Sequence, residues 1–171
     1  MYNSILRSFM QSYLLACISM WYYLLEKDFS SSEGIVNFCV ALAILVVTVS
    51  FPIYAQCLLR KERDNLRDKT FKARYDSLYQ KLDYYKRNSL VNTSLFLWRR
   101  LIFAFVIVFL SFCVVLQIFL IDVLSTLLLC FYLSVHPMWD GLNNAIQVIN
   151  ELVVLLCVWL MFHYTLYVED A

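Results

Sequence analysis

Apolar residues near the start of the chain fall at Ile5, Leu6, Phe9, Met10, Tyr13, Leu14, Cys17, Ile18, Trp21, Leu24 and Leu25. This three-and-four spacing predicts one helix over 5–25. Its opposite stripe carries Ser4, Arg7, Ser8, Gln11, Ser12 and Ser19, so the helix either spans with that stripe turned to other helices or lies along an interface. The bulky Met20-Trp21-Tyr22-Tyr23 makes a poor signal-peptidase site, and the helix is expected to be retained. After the polar connection "EKDFSSSEG" comes "IVNFCVALAILVVTVSFPIYAQCLL", an unbroken apolar run over 35–59 and the plainest span in the chain. Pro52 lies inside it. Its missing N–H leaves the Thr48 carbonyl without a helical donor and makes Pro52 a candidate hinge.

Residues 60–94 are the one long hydrophilic stretch. Phe71, Tyr75, Leu78, Leu82 and Tyr85 alternate at steps of three and four, which predicts an amphipathic helix with its charges on the back. From Leu95 to Ser134 the chain is apolar again apart from Arg99, Arg100, Gln117, Asp122 and a few hydroxyls. That length is too great for one span and suits two, over 96–113 and 116–135, with a tight turn near Ser111 to Gln117. "HPMWDGLNN" reads as a loop, and a last span covers 145–167. The expected fold is all-α. It is a single multi-pass transmembrane domain over 1–171 with about five spans, or four and one interfacial helix, and a basic amphipathic helix between spans two and three.

Composition strengthens this reading. The chain is 62% hydrophobic and 16% charged, against about 45–50% and about 25% in ordinary soluble domains. A soluble bundle with such runs would expose apolar faces that water penalises. The six cysteines are scattered through the apolar segments without a CxxC or Cys/His cluster, so they read as small hydrophobes and predict neither zinc nor a disulfide framework.

Net charge is only +1, but twelve of the fourteen Lys and Arg residues lie between Arg60 and Arg100. Basic loops collect on the cytoplasmic side, which places 60–94 on the inner face. Tyrosines and bases there, with Arg74, Tyr75 and Tyr79 as anchors, suit a headgroup region containing anionic lipid. Five acids interrupt the basic run and argue against nucleic acid. Arg99 and Arg100 stand at the inner entrance of the third span. Adjacent residues point about 100° apart on a helix, so the two arginines cannot share one partner. Their stems are expected to lie on apolar surface while the guanidiniums reach headgroup phosphate or the Tyr-rich segment.

Asp122, Glu151, Gln117 and His163 are the polar residues that could line a hydrated cation or proton route, since an acid in hydrocarbon must be neutral, hydrated or paired. The plainer reading places Asp122 near the outer headgroups, Glu151 near the inner ones, and His163 in a bond to another helix. No motif of an enzyme, pore filter, phosphate loop or redox cofactor is present, and no cofactor or metal is expected.

The segments "RYDSLYQKL" (74–82), "FLWRRL" (96–101), "VVLQIF" (114–119), "HPMWDGLNNAIQVINE" (136–151) and "YTLYVED" (164–170) occur in a telling order. Together they resemble the TRP-like (transient-receptor-potential-like) C-terminal membrane domain of very large ciliate surface proteins. That family carries "KYGxLYxxL", "FLLRRL", "PVLQI", "RPF" and "NxxEIxNE" in the same order. Asp76 stands where the family has glycine and His136 where it has arginine, and the chain reads as a truncated copy. The resemblance implies a non-enzymatic membrane protein related to ion transport, in a plasma or internal membrane, acting as a homo-oligomer or with other membrane subunits. The competing expectation is a structural accessory subunit of a large membrane complex, with the mitochondrial inner membrane as one setting.

Overall fold

A computed structural model describes residues 2–26, 32–63, 66, 68–83, 85, 86 and 88–169. They form six α-helices: α1 (Tyr2–Glu26), α2 (Ser32–Lys61), α3 (Lys69–Tyr79), α4 (Val91–Phe109), α5 (Val114–Val135) and α6 (Gly141–Glu169). Among the described residues there is no strand, only one isolated bridge between Leu82 and Met138. Helices α2, α4, α5 and α6 are long and apolar enough to cross a membrane. Long helices suit such sequences because each satisfies its backbone groups internally where no water can.

The direction of α1 follows from its contacts. Asn3 accepts a hydrogen bond from the Ser77 N–H of α3 at 2.9 Å. Farther along, Trp21 packs edge-on against Phe105 and Phe109 of α4. Helix α1 therefore runs parallel to α4 for much of its length and does not lie across the end of the bundle. Helix α2 returns antiparallel to both. Tyr13, Cys17 and Met20 of α1 and Leu97, Leu101 and Ala104 of α4 form one buried cluster. Helices α5 and α6 make an antiparallel hairpin that packs mainly on itself, with only slight contact between α5 and α4.

The proline in α2 is accommodated as the sequence demands. The helix continues through Pro52, and the Thr48 carbonyl that the proline deprives of a donor accepts the Tyr13 hydroxyl at 2.7 Å. One turn on, the Pro52 carbonyl accepts the Ser94 hydroxyl at 3.0 Å. The candidate hinge is thus tied to α1 on one side and α4 on the other.

The basic segment departs from expectation. It contributes to the ends of α2 and α4, and its own helix α3 is only 11 residues long. Lys81, with φ of 69°, turns the chain out of the helix soon after Tyr79. The aromatic face of α3 lies on protein: Leu78, Tyr79 and Leu82 join Leu59, Leu66 and Leu90 in a second buried cluster, with Phe71 and Tyr75 packed against it. A continuous amphipathic helix over 60–94 would carry that face past the ends of α1 and α2. The break brings it back onto them.

The α4–α5 turn covers 110–113, at the early edge of the expected range. Between α5 and α6, His136 adopts a left-handed conformation with φ 45° and ends α5, and the following Pro137 cannot donate to continue it. Asn144 then clasps the loop. Its side chain accepts from Met138 N–H at 2.8 Å and donates to the Met138 carbonyl at 3.0 Å.

Candidate functional site

The charged residues inside the apolar helices are few, and packing sorts them. Arg99 lies about 12 Å along α4 from Val91 and Glu151 about 15 Å along α6 from Gly141, at ~1.5 Å rise per residue. The two helices start at the same end of the bundle, so these depths match. The Arg99 guanidinium donates to Glu151 Oε1 in an ion pair whose carboxylate is 3% exposed. Both groups lie two to three turns in from the starts of their helices and face each other. A buried acid one helix away offers Arg99 a partner that lipid phosphate would have to replace by extension to the surface.

Arg100 turns to the other side, as the 100° rule requires. It donates to the Met10 carbonyl at 2.7 Å and lies over the Phe96 ring at 4.1 Å from its centroid. The adjacent arginines therefore hold two different neighbours, α6 by Arg99 and α1 by Arg100.

Asp122 is left without a cation. It lies about 12 Å from the start of α5, at ~1.5 Å per residue, on a cleft of about 170 Å³ walled by Ile118, Phe119, Val158, Trp159 and Phe162. Among the described residues its carboxylate makes no hydrogen bond or ion pair. In the hairpin's antiparallel register Asp122 faces Val158, two turns from Glu151, so the two acids do not share one site. His163 is exposed at the same end as Asp122, with its ring edge-on to Trp159 at 4.4 Å. Gln117 is half-buried in the first turn of α5.

Two polar atoms extend the picture. Ser125 Oγ, one turn from Asp122, and Glu151 Oε2 are buried and have no hydrogen-bond partner among the described residues. Ile118, Ser125, Leu128 and Tyr132 are the buried positions of α5, on one face. The hairpin seam thus carries Asp122, Ser125 and Glu151 in succession between apolar walls. Ser125 was legible in sequence only as a hydroxyl three residues from an acid. The cleft walls Trp159 and Phe162 had no signal that separated them from lipid-facing aromatics.

The remaining expected anchors divide. Arg74 is exposed on α3. Tyr75 is half-buried and stacks near Phe71 with ring centroids 4.9 Å apart. Tyr79 is buried, and its hydroxyl donates to the Leu66 carbonyl at 3.0 Å. The two tyrosines anchor α3 to the bundle itself. Among the described residues no group of three or more His, Cys, Asp or Glu side chains comes together to hold a metal ion. No family model, curated protein or solved structure matches the chain.

Proposed function

We propose that this is a non-enzymatic, multi-pass membrane subunit of TRP-like type whose α5–α6 hairpin contributes a polar strip to a cation path. The path forms in an assembly of copies of this chain or with other membrane subunits. The observation that carries the reading is Asp122. Of the two acids within α5 and α6 before Thr165, Glu151 is matched by Arg99, whereas Asp122 lies in a cleft without a cation among the described residues. An acid at that depth is stabilised by water or by a passing or resident cation, and intramembrane carboxylates commonly mark such routes.

Purified protein in proteoliposomes tests this. Wild-type protein should support cation flux, and Asp122→Asn should reduce it to the level of empty vesicles while Arg74→Gln, exposed on α3, leaves most of it. Wild-type vesicles that stay silent would refute the reading. A second reading, an accessory subunit of a large complex, draws support from the long apolar sides of the hairpin, where Leu127, Leu156, Trp159 and Met161 are each about 60% exposed. Silence in vesicles together with native co-purification in a large assembly is its expected signature.

A further inference from the structure

A second cleft lies away from the hairpin seam, at the end of the bundle where α2 finishes and α4 begins. It is an open cleft of about 560 Å³ between α3 and the loop after α5, within the range of small-molecule sites. Lys72 and Asp76 contribute from one face of α3, one turn apart. Lys81, Leu82, Trp139 and Asp140 contribute from the two chain segments opposite. Those segments are held together by backbone pairing. Asp83 N–H donates to the Pro137 carbonyl at 2.9 Å and Trp139 N–H to the Lys81 carbonyl at 3.0 Å, on either side of the Leu82–Met138 bridge. Lys81 holds its place with a φ of 69°, a conformation uncommon for a residue with a side chain. The wall is therefore built and not a chance gap between loops.

Among the described residues the charges lining this cleft are matched in number but not paired. Neither ammonium makes an ion pair among the described residues, nor does Asp76, and the Asp140 carboxylate accepts only the neutral Asn143 amide at 2.9 Å. Two cations and two anions around one space do not form the site of a simple anion. They suit a ligand that carries both signs, its phosphate between the lysines and its ammonium at the carboxylates. Trp139, packed on the Tyr85 ring with centroids 5.8 Å apart and 60% exposed at the rim, belongs to the residue type that lies at membrane–water boundaries.

We infer that this cavity binds the zwitterionic phospho-ammonium headgroup of a phospholipid, of which phosphatidylethanolamine is the simplest example. The inference rests on the reading that the apolar helices span, which sets the cavity at the bilayer surface. It does not depend on conduction. It also differs from the expectation of anionic lipid, because the described lining, with two lysines and two aspartates, carries no net positive charge to favour a headgroup of net negative charge.

Native mass spectrometry of the full chain released from vesicles of equal phosphatidylethanolamine and phosphatidylglycerol tests it. Wild-type protein should retain the zwitterionic lipid in preference. Lys72→Gln with Lys81→Gln should lower that retention about fivefold, as expected for two exposed charge contacts of ~0.5 kcal/mol each. Asp76→Asn with Asp140→Asn should shift the preference toward phosphatidylglycerol. An unchanged far-UV spectrum and elution volume shows that these variants still fold. A wild-type preference for phosphatidylglycerol, or no change in either double variant, overturns the inference. So does competition by tail-less glycerophosphoethanolamine as effective as the lipid, which would assign the cavity to a soluble zwitterion.

Discussion

In α4, 39% of the most apolar stretch is buried against other helices, whereas in α6, built from the same kinds of residue, the figure is 11%. Helix α2, in the same half as α4, is also at 11%, so the figure marks the central place of α4. Helix α4 lies between α1 and α2 and is held by apolar clusters, by Ser94 on the Pro52 carbonyl and by Arg100 on Met10. The hairpin meets the rest of the chain through a slight contact of α5 with α4, the Arg99–Glu151 pair within the bundle and the backbone bridge at its end. Where solvent is hydrocarbon, apolar surface alone gives little reason for one neighbour over another, so close packing and polar contacts decide which helices associate. The three-helix half has both along its length. The hairpin depends on a few points.

The largest effect should come from breaking the link between the halves. Arg99→Met leaves Glu151 buried without its counter-charge and should destabilise the fold by about 3–5 kcal/mol, whereas Arg99→Met with Glu151→Met should recover most of the loss. Denaturant unfolding of detergent-solubilised protein measures both. A double variant as unstable as the single one would show that the pair is not the link.

Within the three-helix half, Leu97 is fully buried, and Leu97→Ala should cost about 2–4 kcal/mol through the cavity it leaves. Leu156 on α6 is 60% exposed, and Leu156→Ala should change stability by less than about 0.5 kcal/mol. Equal costs at the two sites would abolish the contrast between the halves.

Tyr13→Phe should cost about 1 kcal/mol by leaving the Thr48 carbonyl without its donor. In a Pro52→Ala background the backbone N–H is restored, and the same change should cost distinctly less. A double-mutant cycle reads this coupling directly. Additive losses would mean that the tyrosine acts by packing alone.

Much of the local structure was legible in the sequence because its causes are local. The three-and-four spacing of apolar residues marks α1, and the length of the apolar runs marks α2, α4, α5 and α6. Pro52 even identifies which carbonyl needs help, since the loss of one N–H is a covalent fact. What the sequence did not reveal was the donor, because Tyr13 lies 35 residues away and many hydroxyls compete for such a role. The basic segment misled for a related reason. Its periodicity is real in Phe71, Tyr75 and Leu78, but periodicity identifies a face without identifying what covers it. Here the bundle covers it.

The arginine pair divides the two kinds of information most sharply. Sequence alone determined that Arg99 and Arg100 sit side by side on one apolar helix and must diverge by about 100°. Tertiary structure decided that one meets Glu151 on α6 and the other the backbone of α1, and that Asp122 meets neither. Helix formation depends on neighbours a few residues away, whereas ion pairing depends on which helices come to lie together. That choice is made by packing over the whole chain.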